Sequence, residues 1–109
     1  PVEAALDAIG GKWKPVILWH LSHRPYRFGE LKRSIPRVTV KVLVEQLRQL
    51  EASGVVRREV VETVPPQVTY SLTEHGLALK GAIFAVSAWG VEHARRMGAR
   101  NLIVDGATE

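Results

Sequence analysis

Residues 28–72 read FGELKRSIPRVTVKVLVEQLRQLEASGVVRREVVETVPPQVTYSL, and the fold is decided within them. Phe28, Leu31 and Ile35 recur at helical spacing, and Pro36 stops that helix because its ring blocks continuation. The connection is four residues (Ile35, Pro36, Arg37, Val38), after which Thr39 is a good N-cap. The helix it opens runs to about Ser53 and stacks Leu43, Leu47 and Leu50 on one face, with Gly54 as its C-terminal stop. Val55 to Thr63 is β-branched and charged, as a strand would be. Val68, Tyr70 and Leu72 then alternate with Gln67, Thr69 and Ser71, the period of a half-buried strand. Between the two lies Val64-Pro65-Pro66, a stiff tip whose prolines donate no ladder hydrogen bonds. Two helices across a tight connection are a weak pattern alone; followed directly by a hairpin, they read as a winged helix-turn-helix.

The flanks extend this reading. Val2, Ala5, Leu6 and Ile9 form a short helix that Gly10-Gly11 ends. Trp13 to His23 reads as a second helix, apolar at Val16, Ile17, Leu18 and Leu21, with Pro15 tolerated only in its first turn. His23-Arg24-Pro25 breaks it, and Tyr26 to Phe28 suits one short strand. Thr73 caps a single long helix to about Met97. Leu79, Ile83, Val86, His93 and Met97 line one side of that helix, and Leu77, Phe84, Ala88 and Val91 another. A helix apolar on two sides needs two covers, and a chain this small has little left to supply the second. A second copy is the simplest supplier, so a homodimer is expected. The fold class is α+β, mostly helical, with a β-hairpin wing and terminal dimerisation helices.

With 109 residues, 46% of them apolar, the chain buries one core and not two. No apolar run is long enough for a bilayer, and Pro1 to Gly10 has no basic leader region. The absence of Cys removes disulfides and thiolate metal sites and fits a reducing, cytoplasmic setting. Net charge is +4, unevenly distributed. Lys12 to Arg58 holds eleven Lys/Arg against Glu30, Glu45 and Glu51, whereas both flanks are mildly acidic. The cationic excess therefore coincides with the helix-turn-helix and the first wing strand, and a polyanion is the partner it suits. Residues 1–97 then form one winged-helix DNA-binding and dimerisation domain, with 98–109 a flexible tail.

At about 100° per residue, Lys41, Glu45 and Arg48 lie opposite the leucine stripe. Residues 39–53 are expected in the major groove, where Lys41 or Arg48 meets guanine or phosphate and Glu45 accepts from cytosine or holds Arg48. The bland alternative is a solvated face with a Glu45/Arg48 pair. Wing residues 55–72 are expected on the backbone or minor groove, with Arg57 or Arg58, not both, turned toward DNA because strand neighbours alternate. Lys12, Lys14 and Arg27 are weaker phosphate candidates. Histidines 20 and 23, three residues apart on a helix, lack a third ligand nearby and read as surface or capping residues, so no metal or cofactor is expected. Trp13, Trp19 and Trp89 suit an effector pocket, or, more commonly, core and interface anchors. Gly10-Gly11-Lys12-Trp13 lacks the spacing and hydroxyl of a phosphate loop, and no nucleophile has a plausible base, so no enzyme is expected. A winged helix used purely for protein interaction is the alternative function.

The residues also resemble a known family, the HxlR-type winged-helix regulators of bacteria and archaea, related to MarR-like proteins. The likeness runs from Pro1-Val2-Glu3 and Leu6 through Ile9-Gly10-Gly11-Lys12-Trp13, Arg27-Phe28, Glu30-Leu31 and Ile35-Pro36. It continues with Lys41, Leu43, Gln46-Leu47-Arg48 and Leu50, and in the wing with Gly54, Arg58, Val64-Pro65-Pro66, Val68 and Tyr70. Leu72-Thr73-Glu74, Gly76 and Trp89 complete it. The resemblance implies a dimeric transcriptional regulator on operator DNA with terminal helices at the dimer interface; the interface residues expected are Leu6, Ile83, Val86, Trp89 and His93, and a dimer with two recognition helices predicts an inverted-repeat operator. The resemblance leaves room for a small-molecule effector. Arg37 stands where the family usually has Gly, adding a candidate DNA contact beside Thr39. Many members carry a redox-sensing Cys immediately before the position of Pro1, where the present sequence starts.

Overall fold

The computed structural model describes residues 1–104, with helical backbone alone for 99–104. Its elements are α1 (Val2–Ile9), α2 (Lys14–Leu21), β1 (Tyr26–Arg27), α3 (Phe28–Ser34), α4 (Val40–Ala52), β2 (Val56–Val61), β3 (Gln67–Leu72), α5 (Glu74–Leu77) and α6 (Lys80–Val104). The sheet is antiparallel in the order β1-β3-β2, with Tyr26 opposite Tyr70 and Arg58 opposite the same tyrosine from the other side. The short strand expected over Tyr26 to Phe28 is thus the third strand of a winged sheet, one residue shorter because Phe28 already opens α3.

Apolar spacing accounts for the core. Ile17 and Leu18 from α2, Leu31 from α3, and Leu43, Leu47 and Leu50 from α4 are fully buried together with Val38, Val55 and Val56. α2 is shorter than the Trp13–His23 span expected, because Ser22 already ends it; the Ser22 hydroxyl and His23 Nδ1 both turn back to the Trp19 carbonyl, at 2.6 and 2.8 Å. α3 begins where the Glu30 carboxylate accepts the Arg27 backbone N–H at 2.9 Å. That hydrogen bond, with Arg24 beside it, holds the Glu30 carboxyl below its ordinary pKa.

The ends of α4 follow from local chemistry. Thr39 accepts the Val42 N–H at 3.1 Å, as an N-cap should. At the other end Gly54 takes φ +76°, and its N–H reaches the Glu51 carbonyl while that of Val55 reaches Leu50, both at 3.0 Å. This is a Schellman closure, and the buried pair Leu50 and Val55 supplies its apolar contact. The chain leaves α4 already aimed into the wing.

The single helix expected from Thr73 to Met97 is instead two. Thr73 caps only α5, and the chain turns at Ala78–Leu79, where the Leu79 N–H bonds the Gly76 carbonyl at 3.0 Å. Nothing in Leu77-Ala78-Leu79-Lys80 is a helix breaker. The turn exists because α5 must lie against the wing base and α6 against α2. A Cβ on Gly76 would stand 2.1 Å from the Val55 carbonyl oxygen, so α5 and the wing base approach as closely as glycine permits. On the other side Ile83 is buried and Phe84 meets Trp19 edge-on, 5.4 Å between ring centres. α6 continues to Val104, past the end expected at Met97; the stretch 98–109 assigned to a tail lies mostly outside the residues whose surroundings are described.

Candidate nucleic-acid interface

The core face of α4 determines what its other face offers. With Leu43, Leu47 and Leu50 buried, Lys41, Glu45 and Arg48 all project into solvent, as the helical spacing predicts. Glu45 does not hold Arg48: it accepts a hydrogen bond from Gln49 Nε2 at 3.1 Å, one turn on. Arg48 turns instead toward the wing. There Val44, Arg48 and Glu51 of α4 meet Arg58 of β2 and Tyr70 of β3 around a cleft of 390 Å³.

The strand register settles which wing arginine shares this cleft. Val56 is buried, so Arg58, two residues on, continues its face toward α4, while Arg57 points to the opposite side. Among the described residues, ion pairs join Arg24 to Glu30, and Glu92 to Arg95 and Arg96. Lys41, Arg48, Arg57 and Arg58 are in none of them. Glu51 shares the cleft with Arg48 and Arg58 without forming an ion pair with either. Arg37 and Thr39 are also exposed, at the turn leading into α4. They stand at the N-terminus of α4, an end of a helix that favours anions.

Other cations are engaged locally. The Arg24 guanidinium lies 3.8 Å from the centre of the Tyr26 ring and pairs with Glu30 at 3.3 Å. Lys32 Nζ donates to the Pro36 carbonyl, closing the end of α3, and Lys12 lies over the Trp13 ring. Lys14 and Arg27 remain exposed or half-exposed at the starts of α2 and α3. The wing tip is stiffened by Thr63, whose hydroxyl donates to the Pro65 carbonyl at 2.7 Å, and Val64 is fully exposed there.

The junction of helix-turn-helix and wing depends on a residue whose tertiary part the sequence did not display. The Thr73 hydroxyl accepts the Gly76 N–H at 3.0 Å and donates to the Gly54 carbonyl at 2.6 Å, while its N–H bonds the Val55 carbonyl at 3.0 Å. Thr73 thus ties the end of β3 to the end of α4. Val40 stands three residues before Leu43 and so reads as more of the same stripe, yet it is 53% exposed.

The expected interface residues divide. Leu6, Val86, Trp89 and His93 are exposed, and Trp89 stacks on His93 with ring centres 4.6 Å apart. Ile83 is a correction: it belongs to the core of its own chain, because α6 packs this side on α2 and leaves little of it for a partner. The three tryptophans do not converge. Trp13 and Trp19 are half-buried against the core, and Trp89 lies out on α6. Trp19 does line an apolar groove of 220 Å³ with Pro15, Val16, Ile83, Val86 and Ser87. His20 faces Tyr26, its Nδ1 3.5 Å from the phenol oxygen. Its pKa lies below the ordinary value, chiefly through burial and then through His23 and Arg24.

The sequence model of the HxlR-like helix-turn-helix family matches residues 8–97. The chain belongs to this family. The HxlR-like match starts at the end of α1 and takes in both helices of the helix-turn-helix, the wing and most of α6. The chain is 52% identical over 96 residues to the uncharacterized HTH-type transcriptional regulator YtcD of Bacillus subtilis (strain 168), spanning 88% of this chain and 76% of that protein. The redox regulator HypR, in its oxidized form, shares the fold with a TM-score of 0.82 at 47% identity, over 84% of this chain and 95% of the other. The reduced form of the transcriptional regulator YodB from B. subtilis matches with a TM-score of 0.72 at 37% identity, over 80% and 85%. The winged arrangement is therefore shared with solved chains that are 47% and 37% identical to this one.

Proposed function

We propose that this HxlR-like chain is a transcriptional regulator that binds double-stranded operator DNA as a homodimer. One observation carries the reading: Arg48 of α4 and Arg58 of the adjoining wing strand line one cleft, Lys41 is exposed on the same helix, and among the described residues none of the three is in an ion pair. In this reading α4 enters the major groove, Lys41 and Glu45 approach base edges, Arg48 and Arg58 meet phosphate beside the wing, and Arg37 and Thr39 contact the backbone at the helix start. Arg57 reaches the backbone or minor groove from the far side of the wing.

The dimer reading rests on apolar surface. α1 has no buried residue, and Val2, Leu6, Val86 and Trp89 are all more than half exposed. The groove beside Trp19 is smaller than the ~300–1,000 Å³ usual for small-molecule sites. It suits packing by helix side chains of a second copy better than an effector. Two-fold symmetry would place two α4 helices about one helical turn of DNA, or a multiple of it, apart, so the operator is an inverted repeat. No described helix is long and apolar enough to cross a membrane, and a DNA partner places the protein in the compartment of the chromosome. An interaction module without DNA gives no reason for Arg48 and Arg58 to converge on one cleft.

Competition binding with a randomised duplex at two salt concentrations tests the reading. Lys41→Ala should cost ~1–3 kcal/mol and relax preference at one operator position. Arg58→Ala should weaken all sequences alike and lower the salt slope by about one per monomer. Binding that ignores salt and survives the loss of Lys41, Arg48 and Arg58 together would refute DNA recognition by this face.

A further inference from the structure

Every large apolar residue of α4 except Val40 is buried or half-buried. Leu43, Leu47 and Leu50 belong to the core, Val42 packs against it, and Val44 lines the cleft beside Arg58. Val40 joins neither group. Folding does not require an apolar side chain there: it is the first residue of the helix, directly after the Thr39 cap, and the cap bond runs from Thr39 to Val42 without it. A β-branched residue is not a favoured helix former at such a site.

Its neighbours indicate what covers it. Lys41 follows it directly and Arg37 stands three residues before it, both exposed, so a surface approaching Val40 must be compatible with nearby cations. Duplex DNA meets both conditions. Its phosphates suit Arg37 and Lys41, and its major groove displays one apolar substituent, the C5-methyl of thymine. The first turn of a recognition helix is the part that comes nearest to base edges. We infer that Val40 is a specificity-determining residue that recognises a thymine by its methyl group. This rests on the DNA-binding reading proposed above. It adds an apolar readout to the polar readout by Lys41 and Glu45.

The experiment uses the 109-residue chain and a duplex enriched by it from a random pool. Each thymine is replaced in turn by deoxyuridine, which keeps Watson–Crick pairing and removes only the methyl. Loss of one methyl contact should weaken binding about fourfold at one position per half-site. Val40→Ala should lose a similar factor on the thymine duplex and bind the deoxyuridine duplex with no further loss. Because Val40 is exposed, the variant should melt with the parent, which separates lost contact from lost fold. Indifference of the parent to every deoxyuridine substitution would overturn the inference, as would a Val40→Ala protein still fully sensitive to the methyl. In either case salt-dependent duplex binding persists. Failure of the DNA reading itself gives a different result: no enrichment and no duplex binding by the parent.

Discussion

Thr73→Val is the sharpest test of how the wing is held. The two side chains have nearly the same shape, so the substitution removes hydrogen bonds while leaving packing intact. The Thr73 hydroxyl accepts from Gly76 N–H and donates to the Gly54 carbonyl, and both bonds disappear together. Loss of an N-cap typically costs ~1 kcal/mol. Loss of a further hydrogen bond to a backbone carbonyl adds about 1 kcal/mol. The expected total of about 2 kcal/mol should lower the melting temperature by roughly 10 °C for a domain of this size. Urea unfolding at fixed protomer concentration measures it, since association alone would shift apparent stability. Thr73→Ser keeps the hydroxyl and should recover most of the loss. The variant should also bind DNA more weakly, because the junction it loosens sets the angle between α4 and the wing. A Thr73→Val protein within about 0.5 kcal/mol of the parent, inside the usual range for surface substitutions, would refute the reasoning.

Other outcomes follow from the same geometry. Val86→Glu should leave the monomer folded and disrupt the dimer, whereas Ile83→Glu should unfold the chain, since it buries an unpaired charge; a Val86→Glu protein that still sediments as a dimer argues against this face as the interface. Diamide should leave DNA affinity of the 109-residue chain unchanged, because it contains no thiol; altered affinity after treatment would contradict this. His20, whose pKa is depressed in the fold, makes stability fall as pH drops from its ordinary value of 6.5 to its folded value, because the unfolded chain takes up the proton first. His20→Gln should flatten that part of a urea-against-pH series, and an unchanged slope would assign the loss to other groups.

The local devices of this protein were readable from residue order alone. The leucine stripe of α4, its Thr39 cap, its Gly54 stop and the Pro65-Pro66 turn each depend on residues a few positions apart, and spacing reports such relations directly. The outward direction of Lys41, Glu45 and Arg48 followed from the same spacing, once the stripe was taken as buried. What tertiary structure decided involves surfaces distant in sequence. The helix expected from Thr73 to Met97 breaks at Ala78–Leu79 because Gly76 docks on Val55 and Ile83 docks near Trp19, and one straight helix does not serve both. The same docking moved Ile83 from the expected interface into the core. Alternation along β2 showed that Arg57 and Arg58 face opposite ways; the burial of Val56 against the helices chose Arg58 as the one beside Arg48. Val40 and Leu43 are equivalent in a helical pattern, and only the packed neighbours distinguish the exposed residue from the buried one. Periodicity specifies how residues are arranged around one element, whereas exposure is a relation between elements, and it exists only after they have met.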